Sequence, residues 1–236
     1  MTKTAVILAA GRGMRLRPHT HEIPKGLLQV GKEKLVERSV RILQSKGIEN
    51  IILGTGYLSD QYEAFAKKHG FVTYINEDFA TTGSFHTLCC GKEIIKENFL
   101  LLESDLLYDS AAIQSILDAK EKDVILCSGF TQSNDEVYVE ALDGYLKNLS
   151  KDPTALNHVD AELVGIWKIS QSLYQKLLDH HKVAEDALSK DYEKAISDIA
   201  NDYPVKLCLL EDLTWCEIDD EEHLERARKY IIPKLK

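Results

Sequence analysis

The segment Leu8-Ala-Ala-Gly-Arg-Gly-Met-Arg-Leu16 contains residues well suited to bind phosphate. Gly11 and Gly13 have no Cβ atom, so the backbone N–H groups of this loop can approach phosphate oxygens closely. Four cationic side chains lie within fourteen residues, at Arg12, Arg15, Arg17 and Lys25. This concentration of positive charge suits a polyphosphate. A solvated basic loop with turn glycines would not explain why the charge follows a strand.

The loop differs from two familiar phosphate-binding motifs. It lacks the third glycine of GxGxxG, and no acidic residue ends the next apolar run, NIILGTG, where a ribose hydroxyl would need one. Neither GxxxxGKS nor GxxxxGKT occurs in the sequence. The motifs of dinucleotide-binding proteins and of P-loop proteins are therefore excluded.

A second polar group, Glu103-Ser104-Asp105, stands at the end of the apolar run FLLLES. A carboxylate at a strand end, in a cleft that holds phosphate, needs a cation. Mg2+ is the fitting ion because it prefers hard oxygen ligands. Asp105 is therefore the first predicted ligand of Mg2+.

The stretch LAAGRGMRLRPHTHEIPKGLLQV resembles the signature GxGxRLxPxTxxxPKxL of the nucleoside-triphosphate-dependent nucleotidyltransferases. Within that superfamily, the chain is similar over essentially its whole length to the small cytidylyltransferases that act on phosphocholine and on 2-aminoethylphosphonate. GYLSDQY and INEDFATTGSFHTL extend the similarity. The resemblance implies that a cytidylyl group is transferred from CTP, with Mg2+ as cofactor and pyrophosphate as leaving group.

The same resemblance implies roles for individual residues. Arg15 would contact the β- and γ-phosphates, and Lys25 would contact the α-phosphate. Gly83 and Ser84 would lie against the cytosine ring. The base and triphosphate would be held by the glycine-rich loop, at Leu8, Ala9, Ala10, Gly11, Arg12 and Gly13.

Two further roles follow from the resemblance. The family's second metal-binding carboxylate follows a late strand, and TWCEIDDEEHLERA offers Asp219 there, although Asp219 or Asp220 could instead cap the last helix. Lys151 corresponds to a lysine that contacts the phosphate of the acceptor, although a surface turn would also account for it. Ser150 replaces a glutamate that binds sugar hydroxyls in sugar-phosphate members, which argues against a sugar acceptor.

Tyr138 and Tyr192 lie where choline-specific relatives place tryptophans, and both are predicted to contact the acceptor. An aromatic cage suits a quaternary ammonium, whereas the three N–H donors of a primary ammonium suit carboxylates. Packing in the core would equally account for both tyrosines, and a solvated face for their acidic neighbours. Those neighbours, which favour 2-aminoethylphosphonate or phosphoethanolamine, are Asp135, Glu136, Asp191 and Glu193.

Alternating strand and helix patterns must position these side chains. TAVILAA, NIILGTG, FVTYI and FLLLES are apolar runs typical of buried parallel strands, with helical periodicity between them. In the second half, VYVEAL and YLKNLS flank Asp143-Gly144, which predicts a hairpin, and helices are predicted over about 170–181 and 185–201. The pattern predicts an α/β, Rossmann-like, doubly wound sheet that is mixed and mainly parallel, with a small antiparallel addition in the second half.

Composition limits the partners. The chain has 29 Lys and Arg residues against 38 Asp and Glu residues, a formal charge of -9, which disfavours a nucleic-acid partner. No apolar run approaches the eighteen residues of a membrane span, and the first residues lack a signal-type cleavage site, so we expect a cytoplasmic protein with no membrane partner. We expect one nucleotidyltransferase domain over residues 1–236, while a homodimer or a fused partner domain stays open.

Together, these observations predict a cytidylyltransferase that joins CMP from CTP to a small zwitterionic phosphonate or phosphate. The acceptors considered are 2-aminoethylphosphonate, phosphocholine and phosphoethanolamine. A hexose-1-phosphate nucleotidyltransferase would share every residue on the nucleotide side, but Ser150 argues against it. A non-catalytic nucleotide-sensing subunit would not need Lys25, Asp105 and Asp219 together.

Overall fold

The structure is a computed structural model that describes residues 2–131 and 136–235. The strands in this part of the chain are β1 Thr4–Ala9, β2 Gln29–Val30, β3 Glu33–Lys34, β4 Asn50–Thr55, β5 Val72–Ile75, β6 Phe99–Glu103, β7 Leu106–Tyr108, β8 Val124–Ser128, β9 Tyr138–Leu142, β10 Tyr145–Ser150, β11 Ala161–Ile169, β12 Lys206–Leu210 and β13 Trp215–Glu217. The α-helices are α1 Leu35–Ser45, α2 Ser59–His69, α3 Ser84–Cys90, α4 Ala111–Asp118, α5 Gln171–Val183, α6 Tyr192–Ile199 and α7 Glu221–Arg226.

A nine-stranded mixed sheet forms the centre of the molecule, in the order β5-β4-β1-β6-β11-β8-β12-β10-β9. Strand β1 pairs in parallel with β4 on one side and β6 on the other, and β4 pairs in parallel with β5. Every residue of β1 is buried, as expected for a strand covered on both faces. The predicted α/β class and mixed sheet are confirmed.

Antiparallel pairing is more extensive than the small addition expected from the sequence. It reaches the middle of the sheet, where β11 runs antiparallel to both β6 and β8. The predicted hairpin joins β9 to β10, and its two turn residues, Asp143 and Gly144, have φ values of 54° and 78°. Positive φ at both positions is typical of a two-residue hairpin turn.

Helices cover both faces of the sheet because alternate side chains of β1 point to opposite sides. Val6 and Leu8 pack into one core with side chains of α3, α5 and α6, whereas Ala5 and Ile7 pack into the other with α1, α2 and α4. The sheet therefore separates two hydrophobic cores, and the loops after its parallel strands emerge at one edge.

A third, smaller core connects the beginning of the chain to its end. Leu16 and Leu28, from the loop after β1, pack against Ile218 and Leu224 near α7. This contact holds the cationic loop beside the segment that contains Asp219.

Helix α6 is shorter than predicted, since it begins at Tyr192 and not near residue 185. The preceding carbonyl groups of Leu188 and Lys190 accept hydrogen bonds from the backbone N–H groups of Gly83 and Phe85. These bonds to a distant segment replace the helical bonds that the local pattern predicted.

Candidate active site

A cleft of 480 Å³ opens beyond the carboxyl ends of β1 and β6, where parallel sheets bind ligands. The loop after β1, the start of α3, the Glu103–Asp105 segment and the end of β13 form its walls. The lining residues used below are Leu8, Ala10, Gly11, Gly13, Arg15, Lys25, Gly83, Ser84, Glu103, Asp105, Lys151, Asp191, Glu193, Glu217, Asp219 and His223.

Lys25 joins the two predicted metal ligands. Its Nζ donates hydrogen bonds to Oδ2 of Asp105 and, at 2.5 Å, to Oδ1 of Asp219. Burial disfavours the ammonium ion, but the two carboxylates outweigh burial and raise the pKa of Lys25 above its ordinary value. Arg15 lies 3.1 Å from Oδ2 of Asp219. The structure thus brings together Arg15, Lys25, Asp105 and Asp219 at one end of the cleft.

The two carboxylates fit a divalent cation. Oδ1 of Asp105 is buried and has no hydrogen-bond partner within residues 2–131 and 136–235, so one hard oxygen ligand is available for an ion. Mg2+ is commonly held by one or two carboxylates together with water and substrate phosphates, and needs no larger protein cage. Within the described part of the chain, no three or more His, Cys, Asp or Glu side chains are arranged so that they could together hold one metal ion.

Asp220, and not Asp219, caps the last helix. Oδ1 of Asp220 accepts a hydrogen bond from the backbone N–H of His223 at 2.9 Å, which is the geometry of an N-cap. The backbone N–H of Asp219 points to Nδ1 of His223 at 3.4 Å. Separate residues therefore cap the helix and line the cleft.

Some residues of the glycine-rich loop line the cleft and others do not. Leu8, Ala10, Gly11 and Gly13 line it, whereas Ala9 packs into the core and Arg12 is exposed. A Cβ atom at Gly11 would meet no atom within 4 Å, so the space beside this residue is open. Gly13 has a φ of +57° and its carbonyl accepts a hydrogen bond from the Thr20 hydroxyl at 2.7 Å. The backbone of Gly11 is thus accessible to a ligand.

Gly83 and Ser84 both line the cleft, and both contact the segment before α6. A Cβ atom at Gly83 would lie 2.2 Å from the carbonyl oxygen of Lys190, so only glycine allows this approach. The Ser84 hydroxyl donates to Oδ1 of Asp191 at 3.0 Å and accepts from the backbone N–H of Tyr192 at 3.0 Å. These contacts involve protein groups and are independent of any base.

The cleft also contains acidic side chains other than Asp105 and Asp219. Burial raises the pKa of Glu103 to about 8, with Asp105 and Glu193 adding to the effect. Burial, together with Glu103 and Asp105, also raises the pKa of Glu217 well above its ordinary value. The pKa of Glu193 is raised to about 7 by burial and by Asp191, an effect that Lys151 opposes. Five carboxyl groups, of Glu103, Asp105, Asp191, Glu193 and Glu217, therefore line the same cleft as Lys151.

Sequence reasoning did not assign Glu103 or Glu217 a role. A repeated spacing could have found them, since Glu103-Ser104-Asp105 and Glu217-Ile218-Asp219 both place an acid two residues before a predicted metal ligand. The two segments are adjacent, because Glu217 pairs with Leu106 and the N–H of Ile218 donates to the carbonyl of Asp105. Both glutamates line the same cleft as the two aspartates, Glu103 as the last residue of β6 and Glu217 as the last residue of β13.

The two tyrosines predicted to contact the acceptor occupy different positions. Tyr192 is buried, and its ring packs edge-on against Trp167 with ring centroids 6.1 Å apart, so it does not line the cleft. Its hydroxyl donates to Oε1 of Glu103 at 2.6 Å. Tyr138 is half-buried on β9 and is not among the lining residues. Among their acidic neighbours, Glu136 lines the cleft, while Asp135 lies outside the described residues.

Known proteins are similar to this chain in sequence over nearly its whole length. The bifunctional IPC transferase and DIPP synthase of Aquifex aeolicus is 28% identical over 98% of this chain, which spans 52% of that protein. The CTP:phosphoglutamine cytidylyltransferase of Campylobacter jejuni is 26% identical over 94% of this chain and 97% of its own length. The chain thus spans about half the length of the first of these relatives and nearly all of the second.

Solved structures share the fold. The CTP:phosphocholine cytidylyltransferase of Streptococcus pneumoniae superposes with a TM-score of 0.81 and 22% identity, covering 97% of this chain and 99% of that one. No helix within residues 2–131 and 136–235 has the length and apolar character that a bilayer span requires.

Residues 5–188 match the family model described as the MobA-like NTP transferase domain. The chain therefore belongs to the family of MobA-like NTP transferase domains.

Proposed function

We propose that this enzyme transfers a cytidylyl group from CTP to a small acceptor that carries a phosphonate or phosphate and a positively charged amine. 2-Aminoethylphosphonate is the preferred candidate, and phosphoethanolamine and phosphocholine are close relatives of it. The observation that carries the proposal is the group of carboxyl side chains, Glu103, Asp191, Glu193 and Glu217, in the cleft that also contains Lys151.

This charge pattern suits a zwitterion. A primary ammonium offers three N–H donors, and several carboxyl oxygens can accept them. Lys151 is electrostatically coupled to Glu193, so the cationic and anionic ends of the acceptor would meet protein groups of opposite charge at neighbouring positions. A sugar phosphate lacks the cation that such a group of acids would select.

The acceptor supplies its own nucleophile. The second pKa of a phosphate monoester is about 6, so its oxygen is largely ionised near neutral pH and no general base is needed. This oxygen attacks the α-phosphorus of CTP as the bond to pyrophosphate breaks. Lys25 neutralises charge at the α-phosphate, and Arg15 neutralises charge on the leaving group. When bound to Asp105 and Asp219, Mg2+ would supply further charge neutralisation.

Names of relatives support the choice of nucleotide. The relatives from Campylobacter jejuni and Streptococcus pneumoniae are described as cytidylyltransferases, as is the solved phosphocholine enzyme. A further similar structure is described as an inositol-1-phosphate CTP transferase from T. maritima. Their acceptors differ, so the acceptor proposed here depends on the acidic part of the cleft.

Pyrophosphate release tests the proposal. Each of the four nucleoside triphosphates is paired with 2-aminoethylphosphonate, phosphoethanolamine, phosphocholine, phosphoglutamine, inositol 1-phosphate and glucose 1-phosphate. We expect the highest kcat/KM with CTP and an aminoalkyl acceptor. 2-Hydroxyethylphosphonate, which matches 2-aminoethylphosphonate in size but lacks its charge, is the control and should react much more slowly.

Three outcomes would overturn the proposal. Preference for a sugar phosphate or for inositol 1-phosphate would indicate a different acceptor class, and equal rates with the amine and its hydroxyl analogue would remove the role of the acidic groups. Absence of activity with every pair would favour a nucleotide-sensing subunit.

A further inference from the structure

We propose that Ser84 is a positioning residue that couples nucleotide binding to the acceptor end of the cleft, through its hydrogen bonds to Asp191 and Tyr192. The inference rests on the proposed function, because it assumes that a nucleotide lies against the start of α3 and an acceptor against Asp191. It goes beyond the expectation that Gly83 and Ser84 lie against the cytosine ring.

The Ser84 hydroxyl is already used within the protein. It donates its single hydrogen to Oδ1 of Asp191 at 3.0 Å, and it accepts the backbone N–H of Tyr192 at 3.0 Å. With its one donor engaged, the hydroxyl cannot also donate to a base without releasing Asp191. These two hydrogen bonds hold in place the carboxylate of Asp191 and the backbone of Tyr192, which is the first residue of α6.

Backbone contacts make the connection stiff. The N–H of Gly83 donates to the carbonyl of Leu188 at 2.7 Å, and the N–H of Phe85 donates to the carbonyl of Lys190 at 3.2 Å. The approach of Lys190 to Gly83 leaves no room for a Cβ atom. A displacement of Gly83 or Ser84 by a bound nucleotide therefore moves residues 188–192 as well.

The hydrogen bonds continue from Ser84 through Tyr192 to a further acid of the cleft, Glu103. Tyr192, whose N–H is bonded to Ser84, donates its hydroxyl to Oε1 of Glu103 at 2.6 Å. Tyr192 is buried against Trp167, so its ring transmits displacement and does not rotate freely. Hydrogen bonds thus link Gly83–Ser84 to Asp191 directly and to Glu103 through one side chain. A continuous packed network of this kind can carry coupling between two sites.

Kinetics separates coupling from base recognition. In Ser84→Ala, we expect KM for the acceptor to rise about tenfold, within the usual range of about 5- to 150-fold for coupled sites. The dissociation constant of CTP alone should stay within about twofold of the wild-type value. Ser84→Thr retains the hydroxyl and should restore the acceptor KM. Ser189→Ala is the matched control, because the Ser189 hydroxyl lies on the same segment but donates to the carbonyl of Asp186.

Hydrogen–deuterium exchange gives a readout that needs no acceptor. When CTP, or whichever of the four nucleoside triphosphates binds, is added to the wild-type protein, amides of residues 188–192 should exchange more slowly together with those of residues 83–85. In Ser84→Ala, residues 191–192 should lose this response, because they lose their bonds to the hydroxyl, whereas residues 188–190 should still respond together with residues 83–85 through the backbone bonds that remain.

The results that overturn the inference are distinct from failure of the proposed function. Protection of residues 83–85 without residues 188–192 in the wild-type protein would disprove coupling, even if the enzyme were an active cytidylyltransferase. A large rise in the CTP dissociation constant of Ser84→Ala, with an unchanged acceptor KM, would show that Ser84 serves the base. Binding of no triphosphate would overturn both proposals.

Discussion

Lys25 and Asp219 form a hydrogen bond of 2.5 Å although 194 positions separate them in the sequence. The site therefore depends on a contact between the loop after the first strand and the segment before the last helix. The small core that contains Leu16 and Ile218 holds these two segments together. The contact between Lys25 and Asp219 therefore depends on the packing of Leu16 against Ile218.

Removal of the Lys25 ammonium should affect both catalysis and stability. In Lys25→Ala, we expect kcat to fall about a thousandfold because the α-phosphate loses a charged donor. The free energy of unfolding should fall by about 3 kcal/mol because two largely buried carboxylates lose their shared cation. Pyrophosphate release and thermal unfolding measure the two effects, with the exposed Lys34→Ala as control. Turnover close to that of the wild type would remove Lys25 from the mechanism.

Loss of the Asp105 carboxylate should weaken metal binding. Asp105→Asn keeps the size of the side chain but removes the charge of one of two proposed ligands. We expect binding of Mn2+, used as a probe for Mg2+ in the presence of CTP, to weaken at least about tenfold, or about 1.4 kcal/mol. Isothermal titration measures the change, and Asp118→Asn, at an exposed position at the end of α4, is the control. Unchanged affinity would place the ion elsewhere.

Glu193 should discriminate acceptors by charge. In Glu193→Gln, KM for 2-aminoethylphosphonate should rise about tenfold, or about 1.4 kcal/mol, because a charge-assisted contact is lost. KM for 2-hydroxyethylphosphonate should not change. Steady-state kinetics with both acceptors measures this difference, and the exposed Glu185→Gln should alter neither value. Equal changes for the two acceptors would contradict the ammonium site.

Substitution by alanine should have different effects on stability at two glycines of the cleft. Gly83→Ala forces a Cβ atom toward the Lys190 carbonyl, and we expect a loss of about 1–3 kcal/mol in the free energy of unfolding. Gly11→Ala meets no neighbouring atom and should unfold like the wild-type protein, while it weakens nucleotide binding. Urea unfolding and nucleotide titration compare the pair. Equal stability of the two variants would mean that the segment before α6 can move away from a Cβ atom at residue 83 at little cost in free energy.

The contact between α3 and α5 should weaken in acid. Nδ1 of His86 and Nε2 of His181 lie 3.0 Å apart, and burial, then His86, His180 and Lys92, lower the pKa of His181 below its ordinary value of 6.5. The unfolded chain therefore binds a proton more readily than the folded one, and stability should fall as pH drops below about 6.5. Urea unfolding between pH 5.5 and 8 should show a smaller loss in His181→Gln than in the exposed control His158→Gln. If the two variants lost the same free energy of unfolding between pH 8 and 5.5, His181 would not be the cause of the acid sensitivity.

The sequence predicted the parts of the molecule that depend on local pattern. The buried strand β1, the hairpin at Asp143-Gly144 and the order of strands and helices all follow from apolar periodicity and turn residues. The meeting of Lys25, Asp105 and Asp219 was expected only through the family resemblance, because spacing alone does not bring residue 25 next to residue 219.

Other features depend on contacts that no local pattern contains. The start of α6 at Tyr192 is set by hydrogen bonds from Gly83 and Phe85, more than 100 positions away in the sequence. Tyr192 was expected at the acceptor, but it packs beneath Glu103 because its aromatic ring fills the core beside Trp167. The register of β13 against β7 places Glu217 in the cleft, and a register of this kind cannot be read from one strand alone.

The small core around Leu16, Ile218 and Leu224 has a consequence for protein synthesis. The Asp219 carboxylate that completes the site is translated almost two hundred codons after Lys25. A growing polypeptide would therefore hold Lys25 with only Asp105 of its two counter-charges, and competence to turn over substrate would arise only once α7 has emerged and docked.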